Sequence, residues 1–396
     1  MATMTFGAHA RRYAGRVNWY LVVAAILVTS FGIVIIQSAG LHTDPGEYRK
    51  QILYAILGIG VMIGFSRIDY RDFSKWAPGL YVVTLLLLAF ILRGGHSSHG
   101  AQRWISLGPL GTFQPSEPAK LILAISLAWV LCKGEYTKLT ELWKPLLMVA
   151  IPALLVAKQP DLGTALVFMA IMSAQLFFGL PKWQHFAAYA LAGAAAMALA
   201  IETKYILKPF QKARLLIFLN PKADPQGAGY NLNQSKIAVG SGGWFGRGLH
   251  HGTQTQLNFV PEHSTDFIFT VVGEELGFVG TVMLLACYGV LLFGGVIAMI
   301  SARDRFGFLL ASGIVAMFAF HIVVNIGMTI GIMPITGIPL PFLSYGGSAV
   351  LTDFGYRRLA QHLRAKRSRR VGERLGTPLD MCACGRTTRG PSTSSG

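Results

Sequence analysis

An all-α bundle that crosses a membrane about ten times is the fold the sequence predicts, and three observations predict it. Of 396 residues, 53% are hydrophobic and only 13% charged, with a mean hydropathy of +0.48, a balance too apolar for an ordinary soluble domain. The apolar residues gather into runs at 18–39, 51–65, 77–92, 117–132, 143–157, 162–179, 185–207, 267–300 and 306–333, with a weaker tenth at 338–352. About 20 apolar residues in a helix cross a hydrocarbon core of roughly 30 Å, and several runs meet or approach that length. Basic residues lie between the runs and in the tail, not in a groove with interleaved aromatics. The formal net charge of +17 therefore reads as membrane topology, and nucleic acid is excluded as a partner.

The loops follow in order. Arg11, Arg12 and Arg16 precede the first run; Arg67, Arg71 and Lys75 follow the second; Lys133, Lys138 and Lys144 follow the fourth. Lys182 after the sixth run, and Arg303 with Arg305 after the eighth, keep the alternation. Short cytoplasmic loops retain Lys and Arg, so the amino terminus is expected inside. The first run is too long for a cleavable signal and lacks a small-residue cleavage site, so it is expected to stay as a span. Segments 42–49, 93–115, 158–161, 208–264 and 334–344 then fall outside. The large loop 208–264, between spans seven and eight, far exceeds the usual connection of about 4–6 residues and is expected to carry function. Its Gly, Gln and Asn residues predict turns and short amphipathic pieces against the membrane, not a separate domain. No internal repeat is evident. Cys132 and Cys287 sit in apolar runs as packing residues, and Cys382 with Cys384 forms a lone C-x-C without zinc partners.

Candidate chemistry gathers on the outer side. Glu117 and Lys120 open the fourth run at i and i+3, on one helical face, where an ion pair serves either structure or catalysis. Asp161 sits in a turn between two closely spaced runs, and Asp266 stands immediately before the eighth. For each, an N-cap and a substrate role are both open. Topology alone puts Glu117, Lys120, Asp161, Glu262 and Asp266 at one depth. Arg103, Arg214 and Arg247 in the outer loops are candidate cations for a phosphate-bearing head group. The stretch Gly240-Ser241-Gly242-Gly243 with Gly246 and Gly248 either wraps a phosphate or turns tightly. It is not a Walker loop, which argues against nucleotide-driven chemistry. The histidines His96, His99, His250, His251 and His263 lack a helical ligand spacing, and His321 with Asn325, at i and i+4 in the ninth run, reads as an interhelical hydrogen-bonding pair.

These residues stand in motifs that resemble a known family. Arg103-Trp104-Ile105-Ser106-Leu107-Gly108-Pro109, Gln114-Pro115-Ser116-Glu117-Pro118-Ala119-Lys120 and Gln159-Pro160-Asp161-Leu162-Gly163-Thr164-Ala165 come first. Asp224-Pro225, Gly229-Tyr230, Gln234-Ser235, the glycine stretch, 265–278, and 334–348 with its Ser344-Tyr345-Gly346-Gly347-Ser348 ending follow in the same order. Together they resemble the SEDS (shape, elongation, division, sporulation) proteins over 19–352, and Gly252-Thr253-Gln254-Thr255-Gln256-Leu257-Asn258-Phe259 resembles the elongation branch more than the division branch.

The resemblance implies a peptidoglycan glycosyltransferase in the bacterial cytoplasmic (inner) membrane, polymerising lipid II at its outer face beside a class B penicillin-binding protein. It implies Asp266 as the essential carboxylate, with Glu117 and Lys120 the family's charged pair. Arg103, Gln114, Asp161, Arg214, Gln254 and Ser344 are candidate substrate contacts. A divalent cation (Mg or Mn) is expected by the same resemblance, and no organic cofactor. Asp266 is expected to act as general base on the acceptor sugar's 4-hydroxyl, with inversion at the anomeric carbon, while Arg103, Lys120 and Arg214 are candidates to stabilise the departing diphosphate. The rival readings are a lipid II flippase and a noncatalytic scaffold for the penicillin-binding protein.

The carboxyl end departs from the family. Where members continue with an apolar tenth helix, this chain reads Asp353-Phe354-Gly355-Tyr356-Arg357-Arg358, and from Asp353 onward it carries ten Lys+Arg against three Asp+Glu, 10 − 3 = +7. No complete apolar span is expected there. Residues 353–396 are expected to reflect a shifted reading frame or altered terminus, or else a disordered basic cytoplasmic segment that meets anionic membrane lipids.

Overall fold

The computed structural model describes residues 19–41, 44–65, 67–94, 96–98, 101–106, 108, 112–202 and 227–362. Among them are ten helices of 16 residues or more: α1 (Trp19–Ala39), α2 (Glu47–Phe65), α3 (Tyr70–Gly94), α4 (Ser116–Lys133), α5 (Trp143–Lys158), α6 (Leu162–Gly179), α7 (Trp183–Glu202), α10 (Ile268–Ile300), α11 (Arg305–Ile330) and α12 (Gly347–His362). Two shorter helices, α8 (Ala228–Ser241) and α9 (Thr253–Gln256), lie between α7 and α10. Among the described residues, six segments are by length and composition long and apolar enough to cross a membrane: five lie within α1, α3, α6, α10 and α11, and the sixth, Leu139–Lys158, takes in α5 and the turn before it. Large apolar side chains such as Leu86, Phe90, Met283 and Phe293 face outward from the bundle, a surface that lipid covers and water would not. The chain is a multi-pass membrane protein.

The segment 93–115, expected as a loop, carries a small antiparallel sheet of β1 (His96–Ser98), β2 (Ala101–Ser106) and β3 (Thr112–Phe113), with Ile105 opposite Phe113 and Ser106 opposite Thr112. Such short strands show too little alternation to be seen in the sequence.

The two ends of the bundle differ in chemistry. At one end Asp304 caps α11 through the Gly307 amide (2.9 Å), accepts from the Tyr70 hydroxyl (3.1 Å), and pairs with Arg71 (3.0 Å), while Arg305 donates to the Gly179 carbonyl (2.7 Å). These bonds join the start of α3, the end of α6 and the start of α11. Between the ends, Gln175 of α6 donates from one amide nitrogen to the carbonyls of Ala124 on α4 (2.9 Å) and Leu309 on α11 (3.0 Å). The other end gathers the close of α1, α3, α5 and α11 with the start of α2, α4, α6, α10 and α12.

The tenth helix is a correction. The apolar stretch 338–352 is not itself a helix: 331–346 is irregular and largely buried, and α12 begins only at Gly347 and runs on to His362. Pro334, Pro339 and Pro341 remove helical donors from the first part. Phe354 packs so closely on Gly58 of α2 that a Cβ there would lie 2.5 Å from its ring. With 16 residues and about 24 Å of length, α12 is shorter than a full span, and its Phe354 and Gly355 pack on α2.

Candidate functional site

At the second end, helix starts and stops bring the predicted residues together in three groups. The first is buried between α4, α11 and α12. Lys120 Nζ stands 2.7 Å from Glu117 Oε1, their side chains only 3% and 8% exposed. It also lies 3.2 Å from His321 Nε2; an ammonium only donates, so the imidazole accepts there. Asp353 of α12, 6% exposed, lies within electrostatic range of both Glu117 and Lys120 and accepts from the Phe342 amide (3.0 Å). A second acidic side chain thus stands near the Glu117–Lys120 pair in an apolar interior. Sequence reasoning places Asp353 in the aberrant tail, and only the helical register of α12 turns it toward this pair.

The second group is the α5–α6 turn. Asp161 caps α6, accepting from the Thr164 amide (3.1 Å) and hydroxyl (2.9 Å), and also accepts from Gln114 Nε2 (3.3 Å). Arg103 lies 3.8 Å from the same carboxylate and donates to the carbonyls of Gln159 (3.1 Å) and Pro160. Gln114 also bonds Ser116 Oγ (2.9 Å) and, through its amide, Ser348 Oγ (3.0 Å). Arg103, expected to face a phosphate, therefore directs its guanidinium into the protein, where it covers the carbonyls freed at the end of α5.

The third group holds Asp266, which is partly buried. The N-cap position of α10 falls on Phe267, so the bland capping reading does not describe Asp266. Its backbone is clamped instead. Asn325 donates to the carbonyls of Asp266 (2.8 Å) and Ile338 (2.7 Å), and Ser344 Oγ donates to the Thr265 carbonyl (2.7 Å) while accepting from the Leu340 amide (2.8 Å). Ser344, expected to meet substrate, has its hydroxyl engaged in holding the peptide before Asp266. His321 and Asn325, one turn apart, link this clamp to the first group. His263 sets its two ring nitrogens 2.9 Å and 3.1 Å from the carbonyls of Val260 and Ala39. Neighbouring Tyr345 has its phenol pushed well above the usual range, first by burial and then by the Tyr54, Glu47 and Asp44 oxygens. Glu262 is exposed at the same turn and accepts from Thr265 Oγ1 (3.0 Å).

The glycine stretch, for which a phosphate wrap and a tight turn were both open, lays its backbone against α10. Helix α10 is broken at Gly277 (φ 64, ψ −159), and the freed groups are met by 243–248. The Phe278 and Val279 amides donate to the Gly243 (2.9 Å) and Trp244 (3.1 Å) carbonyls, and the Arg247 and Gly248 amides donate to the Glu274 (3.0 Å) and Glu275 (2.9 Å) carbonyls. A Cβ on Gly246 would collide with the Glu275 carbonyl, and one on Gly242 with that of Gly273. Arg247 bonds Ser241 O (3.4 Å) and Thr253 Oγ1 (2.8 Å). Gln254 lies in α9, its amide on Glu274 Oε1 (2.7 Å). Arg214 falls in 203–226, outside the described residues, as does the tail beyond His362.

Comparison with known proteins decides the family. Residues 18–365 match the FTSW_RODA_SPOVE cell cycle protein family. The chain belongs to it. Peptidoglycan glycosyltransferase MrdB of Escherichia coli (strain K12) is 39% identical over 336 residues, covering 84% of this chain and 88% of its own. Peptidoglycan glycosyltransferase RodA of Treponema pallidum (strain Nichols) is 34% identical, covering 85% and 94%. Among solved structures, one chain of a peptidoglycan synthase complex that coordinates polymerization and crosslinking aligns with a TM-score of 0.78 at 32% identity, over 89% of this chain and 99% of that one. Rod shape determining protein RodA of Thermus thermophilus aligns at 0.68 and 30% identity, over 89% and 98%. The family match runs through Asp353, so α12 belongs to the matched region.

A divalent cation of the kind expected from the sequence needs several hard donors around one point. Among the described residues no group of three or more His, Cys, Asp or Glu side chains is placed to hold a metal ion, and the carboxylates of Glu117, Asp161 and Asp353 are engaged by Lys120, amides or a hydroxyl. These residues do not form a metal cage.

Proposed function

We propose that this chain is a peptidoglycan glycosyltransferase that extends glycan strands from lipid II at the outer face of the bacterial cytoplasmic membrane, with its amino terminus inside. The observation that carries the reading is the clamped Asp266, in a chain whose family relatives are named for this activity. The basic residues Arg71, Lys133, Lys138, Lys144 and Lys182 lie at or near the opposite end of the bundle, which supports the assigned orientation.

In this mechanism Asp266 takes the proton from the acceptor's sugar 4-hydroxyl as that oxygen attacks the donor's anomeric carbon. The bond to the lipid diphosphate breaks as the new β-bond forms, inverting the centre. The diphosphate leaves as an anion, so cations serve it better than an acid. Arg214 is the candidate, whereas Arg103 acts on the α5–α6 turn and Lys120 is held in the interior by Glu117 and His321. Asn325 and Ser344 are positioning residues that fix the backbone on either side of Asp266. A class B penicillin-binding protein is the partner, in keeping with the synthase complex that the fold matches. The elongation role rests on the motif 252–259 and is in keeping with the likeness to a rod shape determining protein.

The broken α10 is a feature shared with carriers, but its freed backbone groups are bonded to 243–248 and do not await a substrate. Polymerisation of labelled lipid II by the purified protein with its partner tests the assignment. Asp266→Asn should fall by about 10²- to 10⁴-fold, and wild-type turnover in that variant would remove Asp266 as base. Transfer of lipid II across the bilayer without glycan would favour the flippase.

A further inference from the structure

Toward its close, α11 carries a stripe of polar residues. His321, Asn325 and Thr329 recur every fourth residue, so they lie along one side of the helix, and all three are buried. Each position is tied to a different neighbour. Lys120 Nζ of α4 donates to His321 Nε2 (3.2 Å), Asn325 Nδ2 donates to the carbonyls of Asp266 (2.8 Å) and Ile338 (2.7 Å), and the Thr329 carbonyl accepts from Ser235 Oγ of α8 (2.7 Å). Ties at three successive turns fix the rotation of α11 about its own axis.

The first of these ties gives the charged pair a role. Glu117, Lys120 and His321 are all buried, and the ammonium is engaged by the other two (2.7 Å and 3.2 Å). An ammonium only donates, so the imidazole is the neutral partner, with Nε2 bare to accept. The bond is charge-assisted, directional and shielded from water, properties that suit an anchor. From His321 to Asn325 is one turn, about 6 Å of stiff helix, and Asn325 ends on the Asp266 carbonyl. We propose that His321 is a positioning residue: by taking the Lys120 hydrogen bond it sets the rotation of α11 and so aims Asn325 at the Asp266 peptide. The Glu117–Lys120 pair then serves the reaction from a distance, through α11, without touching substrate. The inference rests on the reading of Asp266 as the base, because a misplacement of about 1 Å in such a group costs roughly 10²-fold in rate.

Two readouts on the full-length protein test it, and one is independent of activity. His321→Gln keeps an acceptor within reach of Lys120, whereas His321→Asn keeps polarity on a side chain too short to reach it. Deuterium uptake is followed by mass spectrometry on peptides spanning 262–267, where the Thr265 and Phe267 amides both donate to the Glu262 carbonyl (3.2 Å each). Uptake there should rise in His321→Asn and match wild type in His321→Gln. In polymerisation of labelled lipid II with the partner present, His321→Asn should lower kcat by about 10- to 10²-fold at nearly constant KM, and His321→Gln should restore it. Wild-type uptake in a folded His321→Asn would overturn the proposal, as would a His321→Gln that departs from wild type in either readout. A wild-type protein that does not polymerise lipid II would instead sink the reading of Asp266, while the uptake comparison would still decide whether His321 holds that turn.

Discussion

Replacing Lys120 by methionine removes the ammonium that is paired with buried Glu117, and the structure sets the size of the effect. At 2.7 Å from Glu117 Oε1, the gross Coulomb attraction is about 6 kcal/mol for an effective dielectric near 20. Desolvation of both groups offsets much of that in the intact pair, but removing one partner leaves the other buried and uncompensated. Such losses run to about 3–5 kcal/mol, a roughly 10²- to 10⁴-fold fall in the folded ratio. The pairing of Lys120→Met with Glu117→Gln should recover most of the loss. Reversible unfolding in detergent micelles, followed by tryptophan fluorescence through the full set of single and combined variants, measures each coupling. A loss below about 1 kcal/mol for Lys120→Met, the scale of a solvent-exposed pair, would refute the view that this cluster is dry and mutually dependent.

Two further outcomes follow from geometry. Gly246→Ala meets the Glu275 carbonyl at φ +79 and should lower stability by more than about 2 kcal/mol, whereas Gly240→Ala, with open space around its Cβ, should be neutral or slightly stabilising; thermal unfolding of the two variants side by side checks the contrast. Ser344→Ala loses the bonds to Thr265 and Leu340 and should lower kcat with KM for lipid II little changed, since the hydroxyl acts on the Asp266 peptide; a rise in KM at constant kcat would restore Ser344 as a substrate contact.

Much of this arrangement is legible from residue type and spacing. The i, i+3 placement of Glu117 and Lys120 is enough to predict their pairing, and the i, i+4 placement of His321 and Asn325 is enough to predict hydrogen bonds away from their own helix. Spacing leaves Asp161 between cap and substrate contact, and it is a cap whose carboxylate also meets Gln114 and Arg103. What stays hidden depends on contacts distant in sequence. Hydropathy cannot separate an apolar loop buried in protein from one buried in lipid, so 338–346 reads as part of a span. A carboxylate in an expected tail reads as solvated, so Asp353 gives no sign of its buried place. The glycines of 240–248 announce close approach but not to what, because the break at Gly277 that they serve has no local signature.

That break has a mechanical consequence. A continuous helix transmits torque along its whole length, but α10 is divided into a short upper piece and a long shaft, and the upper piece is stitched crosswise to residues 243–248. The exposed ribbon, with Trp244 and Phe245 at its edge, therefore sets the direction of the upper piece. Asp266, two residues ahead of it, is thus held from two sides, by this piece and by Asn325 and Ser344.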